Sequence, residues 1–122
     1  MATLTEGKHT GEFMVSEANG SRSRITGTLL AGQNVVAGEL LGIETASGKY
    51  VAYNPANAPL GSDTVAGIAF DNTDATLADE AGIAIIAIDA EVRGSDLTYN
   101  EAVAGVITAE VDGLKALGLI VR

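Results

Sequence analysis

Cysteine and tryptophan are absent from the 122-residue chain, and proline occurs only twice. Without cysteine there is no disulfide staple, no thiolate zinc site and no cysteine nucleophile. Aromatic residues make up 4%, too few for the stacking platforms that read single-stranded nucleic acid. Cations are scarce as well. Seven Lys and Arg stand against sixteen Asp and Glu, a net charge of −9, so no bulk attraction to nucleic acid or to anionic membranes is expected. No apolar run approaches the roughly 18 residues of a spanning helix, and the opening MATLTEGKHTGEF lacks a signal-peptide core. A soluble protein, made and kept in a cytosol until something collects it, is the expectation.

What is present supports one folded domain. Apolar residues are 47% and charged residues 19%, which excludes disorder throughout. A chain this long buries about two-thirds of its unfolded surface, enough for a core without metal or disulfide. The charge is unevenly placed. Over residues 1–24, Lys8, Arg22 and Arg24 balance Glu6, Glu12 and Glu17, so the rest of the chain carries the whole −9. Two parts are therefore expected: a flexible, neutral arm over residues 1–24 and an acidic, β-rich body over residues 25–122.

Within the arm, the first twelve residues are polar and aperiodic, and disorder is expected there in the isolated protein. Phe13-Met14-Val15 is an apolar island, a candidate sticky segment, and Asn19-Gly20 suits a tight turn. The body reads as short strands. Ile25–Leu30 begins it, and Val35–Ile43 contains glycines that suggest bends. Lys49–Tyr53 returns from a turn at Ala46-Ser47-Gly48, a proline-bearing loop spans 54–61, and Thr64–Phe70 precedes an acidic loop over 71–82. Ile83–Ile88 is the most apolar run, expected as a strand covered on both faces. It should continue to Val92, with Asp89 and Glu91 on one face, before a turn at Arg93-Gly94-Ser95-Asp96. Val103, Val106, Ile107, Val111 and Leu114 then recur at helical spacing. Asn100 is the expected cap of that helix, Gly118 its stop, and Leu119–Val121 a final strand. The fold class is mainly β with one C-terminal helix, a compact β-clip-like body or bent-ribbon barrel.

Chemistry-bearing patterns are weak. Gly42 and Gly48-Lys49 miss the spacing of a phosphate loop, and Tyr50 stands where a Ser or Thr would hold magnesium. Asp71, Asp74, Asp79 and Glu80 do not match a calcium loop and lack its central glycine. His9 has no second histidine for a metal or a relay. Lys49 lacks the surroundings of a lysine carrying a swinging cofactor arm. Asp89 and Glu91 have no cleft to make them a catalytic pair. No cofactor, no metal and no catalytic residue are expected. A carrier or ligand-binding module with a barrel-sandwich body, and a small metal hydrolase, are the alternatives in other classes.

The order of features is more informative. Gly11-Glu12-Phe13-Met14-Val15-Ser16-Glu17-Ala18-Asn19-Gly20 with Arg22 and Arg24 precedes the first strand. Val36–Gly42, Gly48-Lys49-Tyr50-Val51, Ala66-Gly67-Ile68, Ile85–Val92 and Leu114–Arg122 follow. From about Gly11 to Arg122 this succession resembles the head decoration proteins of tailed bacteriophages. The resemblance implies a non-enzymatic virion protein that joins the expanded capsid from outside as homotrimers at local threefold positions. It would stabilise the head against packaged DNA, with the major capsid protein as partner and the host cytoplasm as the place of assembly. An arm matching residues 10–25 would order on the shell and add a strand to it. Phe13, Met14, Val15 and Ile25 are its candidates for apolar docking, and Arg22 and Arg24 for acidic capsid groups.

Overall fold

The computed structural model describes residues 6–20, 22–54, 61, 63–98 and 106–122. Along the chain the strands are β1 (Met14–Glu17), β2 (Arg24–Leu29), β3 (Gln33–Val35), β4 (Leu40–Ile43), β5 (Tyr50–Ala52), β6 (Gly67–Ala69), β7 (Thr73–Ala75), β8 (Glu80–Ile86) and β9 (Ala90–Val92). A 3-10 turn (Gly94–Asp96), the helix α1 (Val106–Ala116) and β10 (Ile120–Val121) complete them. The expected helix cap Asn100, with Val103, and the prolines of the 54–61 loop lie outside the described residues.

Short strands interrupted by glycine curl readily, and five of them close a barrel in the order β2-β5-β4-β6-β8. The β2–β8 pairing is antiparallel, with Ile25 opposite Ile85 and Thr26 opposite Ala84. The turn after Ala46 joins β4 to β5, placing Gly42 opposite Val51. Strand β6 bridges β4 and β8 to close the ring. Gly67 is required there: a Cβ at this position would stand 2.5 Å from Ile85 Cγ2 and 3.1 Å from Ile86 O.

Successive strand side chains point to opposite faces, so the barrel wall serves two cores. Leu41, Ala69 and Ile85 pack with Leu29, Val35 and Tyr50. Their neighbours Leu40, Ile68 and Ile86 pack with Phe13, Val92 and Leu114. That division explains why the isoleucine run carries no alternation. Ile83, Ile85 and Ile86 are all buried, as expected, whereas Ile88 lies past the strand and is 42% exposed.

Two local expectations are corrected. The run from Ile83 to Val92 is not one strand: Asp89 takes φ 53, the chain turns, and β9 starts at Ala90 in another sheet. The acidic loop over 71–82 contains β7, which pairs antiparallel with β3, Asn34 opposite Asp74. Helix α1 ends as its sequence predicts. Gly118 takes φ 96, its N–H reaches Lys115 O at 3.0 Å, and Leu119 N–H reaches Leu114 O at 3.1 Å, a Schellman stop. The chain then returns as β10, parallel to β9, and the second sheet has the order β1-β9-β10.

Candidate functional site

The leading segment meets the body in two ways. Residues 6–12 run along its surface. Gly11 N–H donates to Phe70 O at 2.9 Å, Asn72 Nδ2 to Lys8 O at 2.8 Å, and Lys8 Nζ to Asp96 O at 3.1 Å. Phe13 then turns inward and loses all solvent exposure, joining the core of Val92, Leu97 and Leu114. Its carbonyl accepts Arg93 N–H at 2.7 Å. Strand β1 continues antiparallel to β9, Met14 opposite Val92 and Glu17 opposite Ala90. The register slips between Met14 and Ser16, which leaves Val15 as the bulged residue, 46% exposed. The apolar island thus divides: Phe13 serves the core, Met14 packs half-buried against it, and Val15 faces out.

The two arginines divide likewise. Ser23, fully buried, fixes the turn after β1 by accepting Ala18 N–H at 2.9 Å and donating to Asp89 O at 2.8 Å. Beside it Arg22 projects into solvent, its side chain 72% exposed and its Nε 3.2 Å from Asp89 Oδ2. Arg24 is committed within the chain. Its guanidinium forks onto Glu17, Nε to Oε2 at 2.9 Å and Nη2 to Oε1 at 2.7 Å, and lies 4.1 Å above the Phe70 ring. This bidentate hydrogen bonding holds the Glu17 carboxyl below the usual carboxylate range. Ile25, on the barrel wall, is 38% exposed.

Across the outer face of the second sheet, Glu91 accepts from Arg122 Nη2 at 2.7 Å and from Ser16 Oγ at 3.1 Å. These bonds, that of Arg122 first, hold the Glu91 carboxyl low. Glu91 also lines a shallow groove of ≈ 330 Å³, with Ser16, Glu17, Arg22 and Asp89 on its polar side and Ala18, Ala90, Gly118 and Ile120 on its apolar side. Ile120 is 51% exposed. Both β1 and β10 are edges of this sheet, and among the described residues no strand covers the outer side of β1.

The groups weighed for chemistry are engaged by structural partners, although Asp74, Asp79 and Glu80 line one shallow pocket and Asp89 and Glu91 the groove. Asp74 accepts from the Thr76 backbone and hydroxyl, and Asp79 accepts from Ala31 N–H and from Lys49 Nζ. Asp71 accepts from Thr10 and Asn72, and His9 lies 3.4 Å from Glu6 on an exposed surface. Asp89 and Glu91 each face their own arginine. Among the described residues no three His, Asp or Glu side chains gather as a metal site, and no helix is long and apolar enough to cross a membrane. Sequence reasoning missed Leu77, which stands 96% exposed between β7 and β8. A lone leucine in an acidic loop carries no periodic signal.

The sequence model of one protein family matches residues 3–119, nearly the whole chain, and that family is described as Bacteriophage lambda head decoration protein D. No curated protein sequence matches.

Proposed function

We propose, on the premise that this chain belongs to the bacteriophage lambda head decoration protein D family, that it cements the expanded phage head as trimers at local threefold positions. Membership makes it a structural protein of the phage capsid. Beyond that, the proposal is that it binds the major capsid protein on the outer surface of the virion after assembly in the host cytoplasm. There it holds the shell against packaged DNA and turns over no substrate. The observation that carries this reading is the family match along nearly the whole length. The fold supports it: a closed barrel flanked by a second core is a rigid clamp, and the acidity of the body favours a chain that stays soluble until a shell appears.

The arm proposed to dock on the shell is best drawn to end before Phe13. Residues 6–12 touch the body through backbone and surface bonds, whereas Phe13 and β1 belong to its core and second sheet. An extended arm that adds to a sheet edge gains backbone hydrogen bonds and side-chain specificity, and the ordering entropy it loses is offset by three arms acting together. Val15, Arg22 and Ile25 can contact the shell with the fold unchanged, since all three are exposed. Phe13, Met14 and Arg24 would have to leave their present partners to do so. Deletion of residues 1–12 tests this. The truncated protein is expected to keep its far-UV spectrum and cooperative unfolding and to lose attachment to heads. Saturation of heads by the truncated protein would remove the arm from the account.

A further inference from the structure

An arm adds to a sheet edge only when its backbone is extended and its N–H and C=O groups are unspent. The leader as it stands meets neither condition. Residues 10–13 form a turn, in which Glu12 N–H reaches His9 O at 3.2 Å and Met14 N–H reaches Gly11 O at 3.0 Å. Gly11 N–H is taken by Phe70 O, and Lys8 O by Asn72 Nδ2.

The body side is a preformed cradle. The Asn72 side chain is fixed because its oxygen accepts Ala37 N–H at 2.8 Å while its nitrogen holds the leader. Phe70 carries Arg24 on its ring at 4.1 Å, and Arg24 is itself forked onto Glu17. Thr10 Oγ1 donates to Asp71 and Lys8 Nζ to Asp96 O, so both ends of segment 8–11 are tied down. Groups already held in place lose little freedom when the leader settles on them. Gly11 is shaped to this seat. It takes φ 65, and a Cβ there would stand 2.7 Å from Phe70 Cε2. An extended backbone at residue 11 would need no glycine.

We propose that residues 8–11 are a latch: in the free protein they fold back on Phe70, Asp71, Asn72 and Asp96, and they must leave before the arm can bind the shell. The latch rests on the reading of this leader as the shell-docking arm. The same backbone groups cannot serve both partners, so closure divides the apparent affinity for the shell by the fraction of open leaders. The shell binds only the open form and draws the equilibrium toward it. A free subunit keeps its arm covered until a docking site is present.

Hydrogen exchange followed by NMR on the wild-type protein in solution reads the latch without any heads. The Gly11 amide is expected to exchange more slowly than in an unstructured peptide, and the amide at residue 11 of Gly11→Ala to lose that protection. An unprotected Gly11 amide in the wild type overturns the latch. The chain has no native cysteine, so oxidising the pair Thr10→Cys/Asp71→Cys locks the leader down. On expanded heads the linked pair is expected to bind at least about tenfold more weakly than the same pair reduced, and Gly11→Ala about fivefold more tightly than wild type. Equal binding of linked and reduced protein, failure of the pair to link, or no gain from Gly11→Ala overturns the latch. A protected Gly11 amide in a protein that binds no heads, linked or reduced, keeps the fold-back contact and overturns the capsid reading. Attachment by protein lacking residues 1–12 overturns the arm reading and leaves that contact standing.

Discussion

Replacing Phe13 by Ala would empty a fully buried site in the core shared by the barrel wall, β9 and α1, at an expected loss of about 3–5 kcal/mol. Urea unfolding followed by circular dichroism measures it, and a loss under 1 kcal/mol would mean that Phe13 is not part of the folded body. Its burial could not be read locally, because Val92, Leu97 and Leu114 decide it from more than seventy residues downstream. The sequence does show an apolar island in a polar leader, and that pattern fits a docking segment and a core anchor equally. Glu39 makes a second prediction. Burial raises its carboxyl above the usual range, partly opposed by the Val36 N–H. A raised folded pKa favours the neutral form, so the contribution of Glu39 to stability is fullest below the ordinary carboxylate pKa and is lost as pH rises through the folded value. Glu39→Gln is therefore expected to raise Tm relative to wild type by more at pH 7 than at pH 4. A difference that shrinks with pH would contradict the assignment.

Elements were legible where hydrophobic patterning was long or turn chemistry distinctive. Strands β2, β4, β5 and β6, the strand at the isoleucine run and the Gly118 stop follow from the sequence. Strand β7 does not, since Thr73-Asp74-Ala75 buries only Ala75 and owes its pairing to β3. The break before β9 also escaped notice, because Asp89 adopts a positive φ that Asp tolerates better than most residues but does not announce. Barrel closure depends on close approaches at Gly27 and Gly67 that composition cannot reveal. Gly67→Ala would drive a methyl to 2.5 Å from Ile85 Cγ2, with an expected loss of about 1–3 kcal/mol as β4, β6 and β8 shift apart. Equilibrium denaturation gives that number. Unchanged stability would mean the β6–β8 approach is looser than described.

At the scale of the whole molecule, the candidate docking residues proved harder to read than the family. The succession of segments from Gly11 to Arg122 resembles head decoration proteins, and the family match covers nearly the same range. Which side chains face outward was not accessible from the sequence: Arg22 and Arg24 look alike there, yet one projects and the other is locked to Glu17. Nor does the boundary between neutral and acidic sequence at residue 24 coincide with a structural seam, since β1 belongs to a sheet with β9 and β10. Charge follows composition, whereas packing follows the register of distant strands. The cementing role itself is tested most directly by co-sedimentation of the wild-type protein with expanded and unexpanded heads of its phage, followed by heating. Saturable binding to expanded heads alone, together with a higher disruption temperature, is the predicted result; absence of binding, or binding that leaves that temperature unchanged, would contradict it.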